Sequence, residues 1–82
     1  MDLKTYLKEL GSEQAREAFG VECETSYRHM LNCIYDKTKR LNPAVCVLVE
    51  QKSAGAVTRR DLRPDDWQRI WPELAELAKA GA

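Results

Sequence analysis

The sequence predicts a small all-α protein, a five-helix bundle with short connections. Three observations predict it. Apolar residues recur at intervals of three and four in successive stretches, the period that lines one face of a helix. Residues able to cap a helix, Ser12, Asn42-Pro43 and Thr58 among them, stand directly ahead of those stretches. Finally, 82 residues leave room for one hydrophobic core.

In the first helix Leu3, Tyr6, Leu7 and Leu10 follow this period, and Gly11 ends it. Ser12 then precedes a second run, Ala15, Ala18, Phe19 and Cys23, where its hydroxyl is placed to accept an orphan amide. Thr25 or Ser26 offers the next capping hydroxyl, and Met30, Cys33 and Ile34 repeat behind it, which predicts a third helix from about Ser26 to Tyr35. Asp36 to Leu41 is polar, basic and aperiodic, a loop. Asn42-Pro43 is a cap followed by proline at the first helical position, where the missing amide costs nothing. The helix that follows competes with a strand, because Val45, Val47 and Val49 alternate. Its capped start, its length and the Ser53-Ala54-Gly55 stop decide for helix. Thr58 with Asp61 three residues on resembles a capping box for a short turn of helix that Pro64 closes. A last helix is expected from Asp65, striped by Trp67, Ile70, Trp71, Leu74, Leu77 and Ala78, with Pro72 bending it.

Composition excludes several classes. Apolar residues at 44% and charged residues at 32% suit a globule rather than a disordered tail. The longest apolar run, Ala44 to Val49, falls far short of the ~20 residues of a spanning helix, and no secretion signal opens the chain. The expectation is a cytoplasmic protein with no membrane partner. Three cysteines without regular spacing predict reduced thiols rather than a disulfide framework. Thirteen basic residues balance thirteen acidic ones, but unevenly. Residues 1–24 hold three basic and six acidic side chains, residues 25–63 eight and three, so a basic middle follows an acidic start.

Two short helices joined by a tight turn, the second followed by basic residues, form the pattern of a helix-turn-helix DNA reader. A small residue must sit where the two axes approach. Taking Phe19-Gly20-Val21 as the turn puts Arg16 at the close approach and Ser26 and His29 in the core. Taking Cys23-Glu24-Thr25 as the turn puts Gly20 there and Phe19, Cys23, Met30 and Cys33 inside, which packs better. The second register sets Glu24 where the chain often needs φ > 0, a misfit of ~1 kcal/mol. It points Ser26, Tyr27, Arg28, Leu31, Asn32 and Tyr35 away from the core. Arginine pairs bidentately with guanine and asparagine with adenine, so Ser26, Tyr27, Arg28 and Asn32 are the candidate base-contacting residues. Arg16, Thr25, Lys37, Lys39 and Arg40 surround that face as candidate phosphate contacts.

The segment GAVTRRDLRPDDWQRIWPEL from Gly55 to Leu74, with the opening DLKTYLKEL, resembles the small phage Cro-like and YdaS-type helix-turn-helix repressors, lambda-repressor-like in fold. The resemblance covers nearly the whole chain and is most specific at residues 55–65. It implies a sequence-specific transcriptional regulator of phage or prophage operators, a homodimer on a two-fold double-stranded DNA site, with Ser26 to Tyr35 as the recognition helix. Residues 1–63 would be the DNA-binding part and residues 64–82 a C-terminal helical extension for packing or dimerisation. Two departures stand out: Glu24 occupies the family's turn glycine, and the loop from Asp36 to Leu41 is slightly longer.

Three other readings compete. Cys23, His29, Cys33 and Cys46 are ligand types for zinc, but they lack a CxxC pair and the cysteines fall on core faces, so no metal or other cofactor is expected. Ser26 near His29 lacks the elbow or paired carboxylates of a catalytic centre, and no enzymatic activity is expected. A protein-interaction module is the main alternative: the stripe from Trp67 to Ala78, with Trp67, Ile70, Trp71 and Leu74, is a candidate interface for a second copy or for another partner such as a toxin.

Overall fold

The computed structural model describes residues 1–36 and 38–80, the side chains of 77–80 excepted. Among the described residues the regular elements are all helices, α1 (Leu3–Glu9), α2 (Glu13–Glu22), α3 (Tyr27–Tyr35), α4 (Pro43–Lys52), α5 (Arg59–Leu62), α6 (Trp67–Ile70) and α7 (Pro72–Ala80). The count exceeds the expected five for two reasons. The short turn expected at the Thr58 capping box is a helix of its own, α5. The expected last helix is divided where Trp71 leaves the helical region, at φ −126° and ψ 71°, and Pro72 opens α7. Proline donates no amide and its ring crowds the preceding turn, so an unbroken helix there is disfavoured.

Helix starts follow the capping chemistry. Ser12 accepts the Ala15 amide at 3.1 Å, Ser26, rather than Thr25, accepts that of His29 at 3.0 Å, and Asn42 accepts that of Val45 at 2.9 Å. Asp2 caps α1 in the same way through the Thr5 amide at 2.8 Å, and this hydrogen bond holds its carboxyl below the usual range. Thr58 and Asp61 form the reciprocal box.

The ends of α2 and α4 share one closure. Past α2, the Glu24 amide donates to the Val21 carbonyl and the Thr25 amide to that of Gly20, both at 3.0 Å. Past α4, Ala54 donates to Gln51 at 3.1 Å and Gly55 to Glu50 at 2.9 Å. This pattern needs a left-handed residue just beyond the cap. Glu24 and Ala54 supply it at φ 59° and 53°, in the region where glycine is the unstrained choice.

One core joins the elements. Cys23 from the α2 cap, Met30 from α3, Cys46 and Val49 from α4 and Val57 are fully enclosed, and Leu3, Leu7, Phe19, Trp67 and Trp71 belong to the same buried cluster. In α4 the buried residues are Val45, Cys46 and Val49, a helical stripe, while Val47 is half-buried. Ser53, the one buried polar side chain among the described residues, accepts the Val57 amide at 3.1 Å.

Three arginines of the basic middle hold the C-terminal helices in place. Arg59 bonds Glu50 through its amide at 2.9 Å and its Nε at 3.2 Å, and its guanidinium lies 5.3 Å from the Trp71 ring. Arg60 stacks over Trp67 at 4.5 Å. Arg63 donates to the Leu41 carbonyl at 3.0 Å and pairs with Asp66 at 2.6 Å.

Candidate nucleic-acid interface

The site is built on the corner between α2 and α3. A Cβ placed on Gly20 would lie 2.6 Å from the Tyr27 nitrogen and 2.8 Å from the Ser26 carbonyl carbon, closer than any side chain tolerates. The two backbones therefore meet at this glycine, with Cys23 and Met30 sealed beneath them. Of the two registers weighed from sequence, the one with Cys23-Glu24-Thr25 as the turn is adopted, and Glu24 has the positive φ anticipated for it. The corner sets α3 against α1 and α2, with Met30 in the core and the opposite face exposed.

Arg28, Asn32 and Tyr35, spaced four and three apart, are exposed on the outer face of α3. Among the described residues Arg28 has no ion-pair partner, so its guanidinium is open to an external acceptor. One of the candidate base contacts, Tyr27, is placed differently from the expectation. Tyr27 is half-buried and packs against the core, as does the start of α3 around Gly20. Ser26 is exposed, but its oxygen already accepts the His29 amide, leaving its hydroxyl hydrogen free to donate. Leu31, also expected outward, is half-buried beside Tyr27.

The candidate phosphate contacts divide as well. Lys39 is exposed next to α3. Arg40 is exposed too, but its guanidinium bonds the Lys39 carbonyl at 3.0 Å and Asp65 at 3.4 Å. Arg16 is committed to the fold: its Nε donates to the Leu7 carbonyl at 2.7 Å and a terminal nitrogen reaches that of Lys8 at 3.5 Å, which satisfies the C-terminal end of α1. Thr25 is half-buried with its amide bound to Gly20. Lys37 lies outside the described residues.

Two cations that sequence reasoning left out belong to this surface. Lys4 and Lys8, one turn apart on α1, edge a groove of about 230 Å³ shared with Arg16, Leu31 and Tyr35, and the Lys4 ammonium sits 5.4 Å from the Tyr35 ring centre. Their i,i+4 spacing was visible, but which helix α1 packs against was not. The opposite groove, between α2 and α3, is edged by Glu13, Glu17 and Arg28. Charge is therefore segregated across α3.

The other candidates do not assemble a site. Cys23 and Cys46 are enclosed in the core and all three cysteines are free thiols. His29 Nε2 approaches Cys33 Sγ at 3.7 Å, but no three ligating side chains converge among the described residues. Burial pushes the Cys33 thiol up, with Lys39 and Arg40 opposing. The tryptophans expected to offer an interface are core residues instead, Trp67 at 9% and Trp71 at 7% exposed, while Ile70 and Leu74 are half-buried against the same core. Leu77 and Ala78 fall among the side chains that are not described. Among the described residues no helix is long and apolar enough to cross a membrane. No protein-family model matches this chain, and no curated protein matches it.

Proposed function

We propose that this chain is a sequence-specific transcriptional regulator that lays α3 in the major groove of double-stranded DNA, with α2, the turn and α3 acting as a helix-turn-helix. The observation that carries the reading is the corner at Gly20, which packs the inner face of α3 on the core and leaves Arg28 and Asn32, one turn apart, exposed on its outer face. That pair has the donor and acceptor geometry for a guanine and an adjacent adenine edge, each good bidentate contact contributing ~1–3 kcal/mol of discrimination. Lys39 supplies charge beside the groove without sequence information.

The reading includes a homodimer on a two-fold operator of a phage or prophage, as the resemblance to Cro-like repressors implies. A single module of this kind buries only ~600–1,000 Å² on DNA, and two copies with recognition helices ~34 Å apart would bind far more tightly than one. A protein-interaction module built on the Trp67 to Ala78 stripe has less support, because both indoles are already covered by the chain itself.

The test is fluorescence anisotropy of the duplex upstream of the protein's own reading frame against a scrambled duplex, at two salt concentrations. Preferential binding of the native duplex that survives the higher salt is the expected result. Equal, salt-sensitive binding to both would reduce the interaction to non-specific charge, and no binding at either salt would overturn the proposal.

A further inference from the structure

We propose that the groove between α1 and α3, edged by Lys4, Lys8 and Arg16, seats one phosphate strand of the duplex. This inference rests on the DNA-binding reading and assigns its orientation. Two independent features of the surface carry it.

The first is the composition of the two grooves that flank α3. The α1 groove contains three cations and no carboxylate among its lining residues. The α2 groove contains Glu13 and Glu17 and one cation, Arg28. A duplex presents about one negative charge per 1.7 Å of axis. It is drawn more strongly toward the first groove than toward the second, where Glu13 and Glu17 offset the charge of Arg28, by interactions that stay significant within a Debye length of ~8 Å at physiological salt.

The second feature is how the cations are held. The Lys4 ammonium is drawn toward the Tyr35 ring at 5.4 Å, which sets it on the α3 side of α1. Arg16 is fixed by its bonds to the Leu7 and Lys8 carbonyls, so its charge stands at the α1 terminus without further ordering cost. Lys4 also edges the neighbouring cleft, where Lys39 and Arg40 stand with Asp2 and Asp61. Lys4 thus stands at the junction of the two, while Lys8 and Arg16 edge the α1 groove alone. Phosphates flank a major groove ~12 Å wide, within reach of lysine side chains on a helix packed beside the reading helix.

Arg16 is unsuitable as a probe because it also caps α1. Lys4 and Lys8 are exposed and serve instead. The experiment measures affinity of the full chain for native and scrambled duplexes across a salt series, for wild type, the double variant Lys4→Gln/Lys8→Gln, the double variant Lys4→Arg/Lys8→Arg, and Glu13→Gln/Glu17→Gln. The glutamine pair should weaken both duplexes about 10-fold or more and lower the salt slope by ~2, roughly one per lost phosphate contact. The arginine pair should retain the slope, and the Glu13→Gln/Glu17→Gln pair should bind both duplexes more tightly. If wild type prefers its native duplex but the glutamine pair leaves the slope unchanged, this orientation is wrong and the DNA-binding reading stands. If wild type binds no duplex, both fall.

Discussion

Gly20 and Tyr27 are in backbone contact: a Cβ on the glycine would lie 2.6 Å from the tyrosine amide nitrogen. Because the obstruction is backbone, no rotamer change relieves it. Gly20→Ala should destabilise the protein by ~1–3 kcal/mol, the usual range for overpacking, and loosen the α2–α3 angle. Urea unfolding monitored by circular dichroism checks the first part. An unchanged midpoint would mean that the corner is not held at this glycine.

Glu24 stands at φ 59° in a position that glycine adopts without strain. Glu24→Gly should raise stability by ~0.5–1 kcal/mol, the relief of left-handed strain exceeding the added freedom of the unfolded chain. Ala54→Gly, at φ 53°, should behave alike, and thermal melts of the two single variants and the pair would reveal additive gains.

Arg28 and Lys39 separate reading from attraction. Arg28→Ala should cost ~1–3 kcal/mol on the preferred duplex and flatten base preference at one position, whereas Lys39→Ala should weaken every duplex alike. Binding to a set of singly substituted duplexes distinguishes them. A uniform loss for Arg28→Ala would remove it from base reading.

Trp71 belongs to the core, so its loss is a stability effect. Trp71→Ala should destabilise by ~3–5 kcal/mol, from lost burial and the cavity left behind. Equilibrium unfolding is the measurement, and sedimentation of the folded variant serves as its control. Unimpaired stability with an altered monomer–dimer balance would return this ring to an interface.

Burial pushes the Cys23 thiol up to about 11 from an ordinary value of 9.0. Between those two values the folded chain holds a proton that the unfolded chain has released. Stability is therefore unaffected below pH 9 and falls as pH rises toward 11, by about 3 kcal/mol in all. Cys23→Ala should remove this part of the alkaline slope in a pH series of urea melts, and an identical slope would place the thiol in contact with solvent.

Much of the fold follows from local chemistry. Ser12, Ser26, Asn42 and Thr58 start helices because a side-chain oxygen beside unpaired amides needs no tertiary partner. The register of the α2–α3 turn was also legible, since only Gly20 is small enough for the close approach. The break at Pro72 was foreseen as a bend and is a division, because its severity depends on whether neighbouring packing tolerates the lost hydrogen bond.

By itself the sequence determined the helical class, most helix starts, the corner and the pairing of Arg28 with Asn32 one turn apart. Each of these depends on residues within about one helical turn of each other or on the steric demand of one position. Tertiary structure alone decided which charges share a surface. It placed Lys4 and Lys8 of α1 beside Tyr35, set Glu13 and Glu17 along the other groove, committed Arg16, Arg59 and Arg63 to carbonyls and carboxylates within the chain, and enclosed both tryptophans. The physical reason is that a helix presents several faces, and hydrophobic periodicity identifies the buried one without naming the neighbour that each remaining face will meet.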